Sequence, residues 1–577
     1  MKYSLPINHD SAFENDGVLY FAQRLEEMLF DYSIDLYRMP LLNTHGLIYE
    51  YCKIAKQVRL KEVKEYQRNI IFDELVSSFQ NDIVLKEYWG TENISKVIKS
   101  FGSCSQEAKD NTIIYLKAIF GSDRYYQWCI QAIHKYTEKA REKKKIEAIL
   151  RCFIPEVIAK GYNPDFIYNT VQKVFFLKPI INKESINDFL SVFDLKFHEY
   201  TVYFAVSRIA LKYKNILSQR LDICFDDDGN FCRFQKDNNK IVIYCKGIQE
   251  RCPNTAAQNV YERLNMFFSF YKFVGNKKSF AIQDKAMIIE KDCEPAFVRP
   301  QRMSYNIIDD TNLDDIGKLS EFLITGLLTN AQSEYLLLSK SIDLHNTAIF
   351  VPDLKSGFLN WWSSIEILCQ NYDADSKLSS VLGIVLPILK KNYLLSIFLD
   401  IRDNLKINLG IDYCNYIYDN ISETNIMVYK LYYLVFLDKY KDLRKEIISK
   451  LANYPVLRSR ILALQEFNKT SKLKKEIDRY MQRIKWHLYR MYRTRNAIIH
   501  SGDIPDNIKY LGEHLHSYVD SVISEFIVKL SGEIPFQSVE DVLIDIKFSM
   551  DELDKILDKD QPINENIIQI LIAPELR

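Results

Sequence analysis

The 577-residue chain has no net charge, no Cys-x-x-Cys pair and no long hydrophobic run. Lys and Arg together number 76, as do Asp and Glu, so a nucleic acid would have to bind a local basic patch and not a global field. The cysteine spacing excludes the usual zinc fingers and ribbons. Cys224, Cys232, Cys245 and Cys252 come closest to a cluster. We interpret them as reduced thiols, with a structural metal as the alternative.

Glycine and proline are also scarce, with 17 and 15 residues, whereas Tyr (37) and Phe (33) are abundant. Few residues that break helices and many long side chains predict a mainly α protein. The length is too great for one ordinary core, which predicts a multidomain chain.

Neither a signal peptide nor a membrane span is expected. The N-terminal residues contain no apolar core of sufficient length. The longest apolar run, residues 381–389, contains Pro387 and is far shorter than the roughly 20 residues of a spanning helix. We therefore expect a cytoplasmic protein without a membrane partner.

Periodicity divides the chain into four regions. Residues 1–215 are predicted to form a helical N-terminal region, because apolar residues recur at helical spacing at Phe21, Leu25, Met28 and Leu29 and again over 115–134. Short β-rich runs around a helix predict a small α+β segment over 216–310. Helical patterns resume over 311–532, and 533–577 is predicted to contain one helix and a tail.

A basic helix is predicted over 473–500. Between Ser471 and Arg495 there are nine Lys or Arg against two acidic residues, a net charge of +7 in a neutral protein. Such a segment with interleaved aromatic residues is typical of RNA binding, although a solvated basic helix with an aromatic core stripe is the simpler interpretation. The candidate RNA-binding residues are Arg483, Lys485, Arg490, Tyr492 and Arg493.

The basic helix leads into Arg495-Asn496-Ala497-Ile498-Ile499-His500-Ser501-Gly502. Arginine can stabilise charge on a phosphate, and histidine can transfer protons near neutral pH. Five residues of helix separate Arg495 from His500 by about 140° and ~7.5 Å, so the two share only a broad groove. Gly502 is a natural residue just beyond the helix end. Taken alone, the pair favours a structural histidine.

The context of this pair resembles a known family. The segment is similar to the Arg-polar-x3-His signature of the HEPN superfamily, and Ser501, Gly502 and Asp503 resemble its Apea-like branch. Upstream, the aromatic-rich segment 360–368 resembles the helix of that branch that ends in Glu-x-Leu, with Glu366 as its acidic residue. The resemblance covers about 330–530 and implies a C-terminal HEPN-like helical bundle.

The resemblance implies a metal-independent endoribonuclease without a cofactor. His500 would be the general acid or base, Arg495 would stabilise the phosphorane, Asn496 would orient the phosphate or the histidine, and Glu366 would hold Arg495 or tune His500. Such domains usually dimerise around one composite cleft. The family analogy suggests a bacterial antiphage or abortive-infection toxin that cleaves tRNA or another structured RNA. Residues 1–310 would act as sensor or regulator, answering to a phage-derived trigger or a regulatory protein.

Other interpretations remain open. HEPN-like bundles also serve as non-catalytic nucleotide-binding or partner-binding modules. Nucleotidyl transfer is disfavoured because no carboxylate triad for metal is visible. His514 and His516 are predicted to lie on opposite sides of a helix, so they are not expected to form a metal pair.

Overall fold

The computed structural model describes residues 3–6, 16–121, 123–138, 142–178, 182–226, 239–275, 281–291, 293–300, 332–351, 353–370, 372, 374–503, 505, 507–531, 536 and 538–572. Helices dominate these residues, and one small antiparallel sheet accompanies them, which confirms the predicted mainly α fold with an α+β insert.

The N-terminal region consists of short helices packed around aromatic side chains. They are α1 Asp16–Leu29, α2 Thr44–Arg59, α3 Glu65–Asn81, α4 Ile83–Leu85, α5 Thr91–Ser103, α6 Gln106–Phe120, α7 Arg124–Thr137, α8 Lys143–Ala159, α9 Pro164–Val171 and α10 Lys183–Ser191. Polar N-caps start several of them: the Asn43 side chain accepts a hydrogen bond from the Gly46 amide at the start of α2.

The insert is a five-stranded antiparallel sheet with two helices. Its elements are β1 His198–Ser207, α11 Lys214–Leu221, β2 Ile223–Phe225, β3 Lys240–Glu250, α12 Pro253–Gly275, β4 Ala286–Glu290 and β5 Ala296–Val298. The strand order is β2-β3-β1-β4-β5, and α12 packs on one face.

The remaining chain is helical again. Its helices are α13 Gln332–Phe350, α14 Leu354–Leu368, α15 Lys377–Leu409, α16 Ile411–Asp419, α17 Met427–Phe436, α18 Lys441–Lys450, α19 Pro455–Gln465, α20 Thr470–His500, α21 Ile508–Ser531, α22 Val539–Leu557 and α23 Glu565–Ile572. The helix predicted over 473–500 is confirmed to within a few residues, and α22 is the helix predicted within 533–577.

The main hydrophobic cores do not follow the four regions drawn from the sequence. The first core combines side chains from 3–193 with others from 393–477 and 550–571. The second combines 338–389 with 484–546. The third lies beneath the sheet. The predicted boundary at 310 falls on residues outside those described.

Three helices pass from one core to the other. The first half of α15 contributes to the second core and its second half to the first core, whereas α20 does so in the opposite order. Helix α22 crosses as well, with Val542 in the second core and Leu553 in the first. The N-terminal region is therefore packed directly against the helix that carries the Arg-His motif.

Several local predictions were wrong. The segment predicted to be helical up to 215 contains the central strand β1, whose β-branched and aromatic residues suit a strand that is buried on both faces over 202–206. Residues 115–134 form two helices, separated near Gly121, which has a φ of +56°. Pro387, which lies in the apolar run over 381–389, is inside a helix and does not end it. The first part of the helical pattern predicted over 311–532, up to 331, lies outside the described residues.

Because α15 continues through Pro387, its apolar stretch is longer than the run over 381–389. Among the described residues, α15 is the one helix that is long and apolar enough to cross a membrane, with a mean hydropathy of 1.6 over its most apolar window. Half of that window is buried against other helices, as in the core helix of a folded domain. The helix is therefore weak evidence for a membrane span.

Candidate catalytic site

The Arg-His motif occupies the last turns of α20. The helix ends at His500, and the backbone amide of Gly502 donates to the carbonyl of Ile498 at 3.2 Å. Gly502 has a φ of +71°, as expected for a glycine just beyond a helix end. This local geometry confirms the predicted termination. It leaves the His500 side chain exposed, near the negative end of the helix dipole.

Helix α14 lies beside the motif and carries Glu366. Asp353 caps the helix, accepting from the Ser356 amide at 3.0 Å. One face of α14 buries Phe358, Trp361 and Trp362 in the second core. The helical repeat then places Glu366 at the edge of that core, where it can reach the neighbouring helix.

Three of the four predicted catalytic residues contact one another. Arg495 Nη2 lies 3.5 Å from Glu366 Oε2, and Arg495 Nη1 donates to Asn496 Oδ1 at 3.2 Å. The Arg495 and Glu366 side chains are 23% and 17% exposed, so the pair is shielded but open to solvent on one side. Glu366 Oε1 is buried without a hydrogen-bond partner among the described residues. The pair can therefore still accept a donor.

His500 is the fourth residue and stands apart. Among the described residues it makes no hydrogen bond or ion pair, and about 7.5 Å of helix rise separates it from Arg495. The neighbouring Ile499 is 49% exposed and is one of several large apolar side chains on the surface. A single chain thus presents the Arg495 and His500 side chains at some distance from each other.

All three predicted RNA-binding arginines are largely buried in ion pairs. Arg490 is 5% exposed; it donates to both carboxylate oxygens of Glu50 at 2.9 and 2.7 Å and to Glu74 at 2.7 Å. Arg493 donates to the same Glu50 carboxylate at 2.5 Å. Arg483 pairs with Asp35. These three arginines neutralise acidic residues of the N-terminal region, so their placement does not support the predicted contact with RNA.

The pKa values of the two glutamates that share Arg490 shift in opposite directions. Burial raises the pKa of Glu50, but Arg490 and Arg493 outweigh it and lower that pKa to about 2. Burial likewise raises the pKa of Glu74, and there Arg490 does not fully offset it, partly because the neighbouring Glu50 charge also raises it. The Glu50 carboxylate is therefore the strongly stabilised charge of this network.

The other two predicted RNA-binding residues remain accessible to different degrees. Lys485 is exposed on α20. Tyr492 is half-buried, and its ring centroid lies 5.8 Å from that of Trp362. Lys485 is thus the predicted basic contact that stays available to a ligand, whereas Tyr492 mainly packs between α14 and α20.

Two clusters of buried histidines were not recognised in the sequence. His514 pairs with Asp35, and the hydroxyl of Tyr518 lies 3.1 Å from His487 Nδ1. On the opposite side of α21, His516 approaches His345 and Asp520. His514 and His516 therefore point in different directions, as predicted. The four-residue spacing of His516 and Asp520 was the available signal, but His345 lies on α13 and no local pattern indicates it.

Comparison of the chain with protein-family models, curated proteins and solved structures found no match.

Proposed function

We propose that this chain is a metal-independent endoribonuclease whose site consists of Arg495, Asn496, His500 and Glu366. The observation that supports the proposal most is the contact between Arg495 and Glu366, which are 129 positions apart. The resemblance to the HEPN superfamily was drawn from these two segments separately. Their proximity is what a shared site requires.

The proposed reaction uses the nucleophile that RNA itself carries. The 2′-oxygen attacks the adjacent phosphorus and the bond to the 5′-oxygen breaks, leaving a 2′,3′-cyclic phosphate and a 5′-hydroxyl. A proton leaves the 2′-hydroxyl and another reaches the departing 5′-oxygen; His500 would serve one or both transfers. Arg495 would stabilise the additional negative charge on the phosphorane, and Asn496 would orient the phosphate or the histidine. Glu366 would hold the guanidinium in position.

A second copy of the chain would complete the site. The exposed Ile499 beside His500 is a suitable apolar contact for a dimer, and two motifs facing each other would supply two histidines and two arginines to one cleft. RNA would reach this cleft past Lys485, about 22 Å along α20 from His500. Structured RNA such as tRNA is the substrate to test first.

The proposal extends to a bacterial antiphage role, in which the N-terminal region restrains or triggers cleavage in the cytoplasm. Glu50 and Glu74 lie in that region and bind Arg490 and Arg493, close to the motif. A phage-derived trigger or regulatory protein that disturbs this contact would act directly on α20.

The alternative is a non-catalytic module that binds a nucleotide or a partner. The burial of Arg483, Arg490 and Arg493 favours this alternative, because it removes most of the expected basic surface.

An RNA cleavage assay in EDTA distinguishes the two. Wild type and His500→Ala are incubated with total RNA and tRNA, and the fragment ends are mapped. The matched control is His134→Ala, because His134 is also an exposed histidine in the last turn of a helix. We expect cyclic-phosphate ends with wild type and the control, and a loss of about 100-fold or more with His500→Ala.

A single 2′-deoxy substitution at the mapped position should abolish cleavage there. Equal cleavage by wild type and His500→Ala would refute the assignment of His500. No cleavage of any RNA by the wild type, in the presence or absence of a phage lysate, would favour the binding module.

A further inference from the structure

The cluster of His345, His516 and Asp520 is enclosed between α13 and α21. The three residues are 8%, 2% and 6% exposed. The indole of Trp361 covers the His516 ring at a centroid distance of 4.7 Å and an angle of 21°. Three groups that hydrogen bond or ionise are thus removed from water together, which is costly unless each has a partner.

Hydrogen bonds alone do not satisfy this arrangement. His345 Nε2 lies 3.0 Å from His516 Nε2 and 2.7 Å from Asp520 Oδ1. An imidazole nitrogen carries either one proton or one lone pair, so His345 Nε2 can donate to Asp520 or accept from His516, but not both. Asp520 Oδ2 has no hydrogen-bond partner among the described residues, although it lies 3.5 Å from His516 Nε2.

The same distances suit a bound metal ion. Ligand atoms placed about 2.0–2.1 Å from a tetrahedral zinc ion are separated by about 3.3 Å. The three distances within the cluster, 2.7, 3.0 and 3.5 Å, bracket this value. Both histidines present the Nε2 atom and Asp520 adds a carboxylate oxygen, which gives three donor atoms around one point.

We propose that His345, His516 and Asp520 bind a divalent transition-metal ion of the zinc type, which joins α13 to α21. Two imidazoles and a carboxylate are the ligand class that such ions prefer. The ion would lie in the second core beneath α14 and would be structural, away from the exposed His500. This proposal does not depend on the proposed ribonuclease activity.

The other buried histidine cluster is a useful contrast. Asp35 already forms an ion pair with Arg483, and its carboxylate also approaches His514. A guanidinium on the same carboxylate would repel a divalent cation. The positive charge of Arg38 also acts on His516 in the proposed site. Arg38, however, donates to the Ser33 carbonyl and lies 3.8 Å from Glu513, so its charge is directed to those groups.

The first test measures the metal content of the full chain, purified without chelator, by inductively coupled plasma mass spectrometry. We expect about one transition-metal ion per chain in wild type and a loss of at least about tenfold in His345→Gln and in Asp520→Asn. The matched control is His45→Gln, because His45 is a buried histidine paired with the carboxylate of Glu156 and belongs to no group of metal-ligating side chains among the described residues. His500→Ala should bind as much metal as wild type.

A second measurement does not depend on the folding of the variants. Wild type is stripped with a chelator and titrated with Co²⁺ and with Zn²⁺. We expect visible d–d absorption bands of tetrahedral Co²⁺ at about one equivalent, reversed by Zn²⁺, and a melting temperature that rises when Zn²⁺ is added.

The proposal would be overturned if purified wild type contained no metal and also gave no d–d bands in the Co²⁺ titration. Metal retained in both the His345→Gln and Asp520→Asn proteins would do the same. A protein that cleaves RNA but holds no ion, or holds an ion but cleaves nothing, separates this proposal from the proposed function.

Discussion

The buried contact between Arg490 and two glutamates allows a matched pair of substitutions. Glu50→Gln and Glu74→Gln each remove one charge from the same network and keep nearly the same shape. Their expected effects differ because Glu50 also holds Arg493, whereas among the described residues Glu74 forms an ion pair with Arg490 alone. After Glu50→Gln, Arg490 and Arg493 share only the carboxylate of Glu74, whose charge is less stabilised than that of Glu50.

The magnitude follows from the pKa of Glu50. A fall from the ordinary 4.5 to about 2 corresponds to about 3 kcal/mol of stability when Glu50 is ionised, at about 1.4 kcal/mol per unit. We expect Glu50→Gln to lower the free energy of unfolding by about this amount at pH 7. The pKa of Glu74 is raised, so its charge is disfavoured by burial, and Glu74→Gln should cost less than about 1 kcal/mol.

The pH dependence has opposite signs for the two residues. Because the pKa of Glu50 is lowered by folding, its stabilisation is present above about pH 4.5 and is lost as the pH falls from there toward 2. Because the pKa of Glu74 is raised, the cost of its charge disappears as the pH falls through that raised value. The difference in the free energy of unfolding between wild type and Glu50→Gln should therefore decrease from pH 7 to pH 4.

The assay is urea unfolding of the full chain, followed by circular dichroism at both pH values. Equal destabilisation by the two substitutions, or a larger effect of Glu74→Gln at pH 7, would refute the reasoning about which carboxylate holds the network. A difference in the free energy of unfolding between wild type and Glu50→Gln that is larger at pH 4 than at pH 7 would refute the predicted sign of the pH dependence.

Two glycine substitutions test the packing around the candidate site. A Cβ at Gly357 would lie 3.3 Å from the carbonyl oxygen of Ala348, so Gly357→Ala should push α13 and α14 apart and lower stability by about 1–2 kcal/mol in urea unfolding. Gly102→Ala is its control, since a Cβ there meets nothing within 4 Å, and it should be neutral or slightly stabilising. Gly502→Ala forces a side chain at a φ of +71° and should cost about 1 kcal/mol. It should also slow any RNA cleavage measured for wild type, because it alters the turn that presents His500; unchanged cleavage would argue against that turn positioning the histidine.

Local rules accounted for much of the helical framework. The end of α20 at His500 follows from Gly502, whose preference for positive φ needs no distant partner. Helix α14 begins at Asp353 for an equally local reason, its capping of the Ser356 amide. The strand β1 was missed because helical and strand periodicities are hard to distinguish in a short apolar segment.

The candidate site divides in the same way. Arg495 and Asn496 are neighbours in the chain, so their contact could be expected from the motif. The pairing of Arg495 with Glu366 was suggested by a family resemblance and not by any spacing rule. The burial of the basic side chains of α20 could not be predicted, because the carboxylate that binds Arg490 lies 440 positions away in the chain.

The sequence by itself determined where α14 begins, where α20 ends and which residue types occupy the motif. These properties depend on backbone preferences and hydrogen bonds within a few residues. Only the tertiary structure decided which of the basic side chains are exposed and which histidines meet in the core. Burial and ion pairing join residues that are distant in the chain, such as Arg490 with Glu50 and His345 with His516, and no local pattern carries that information.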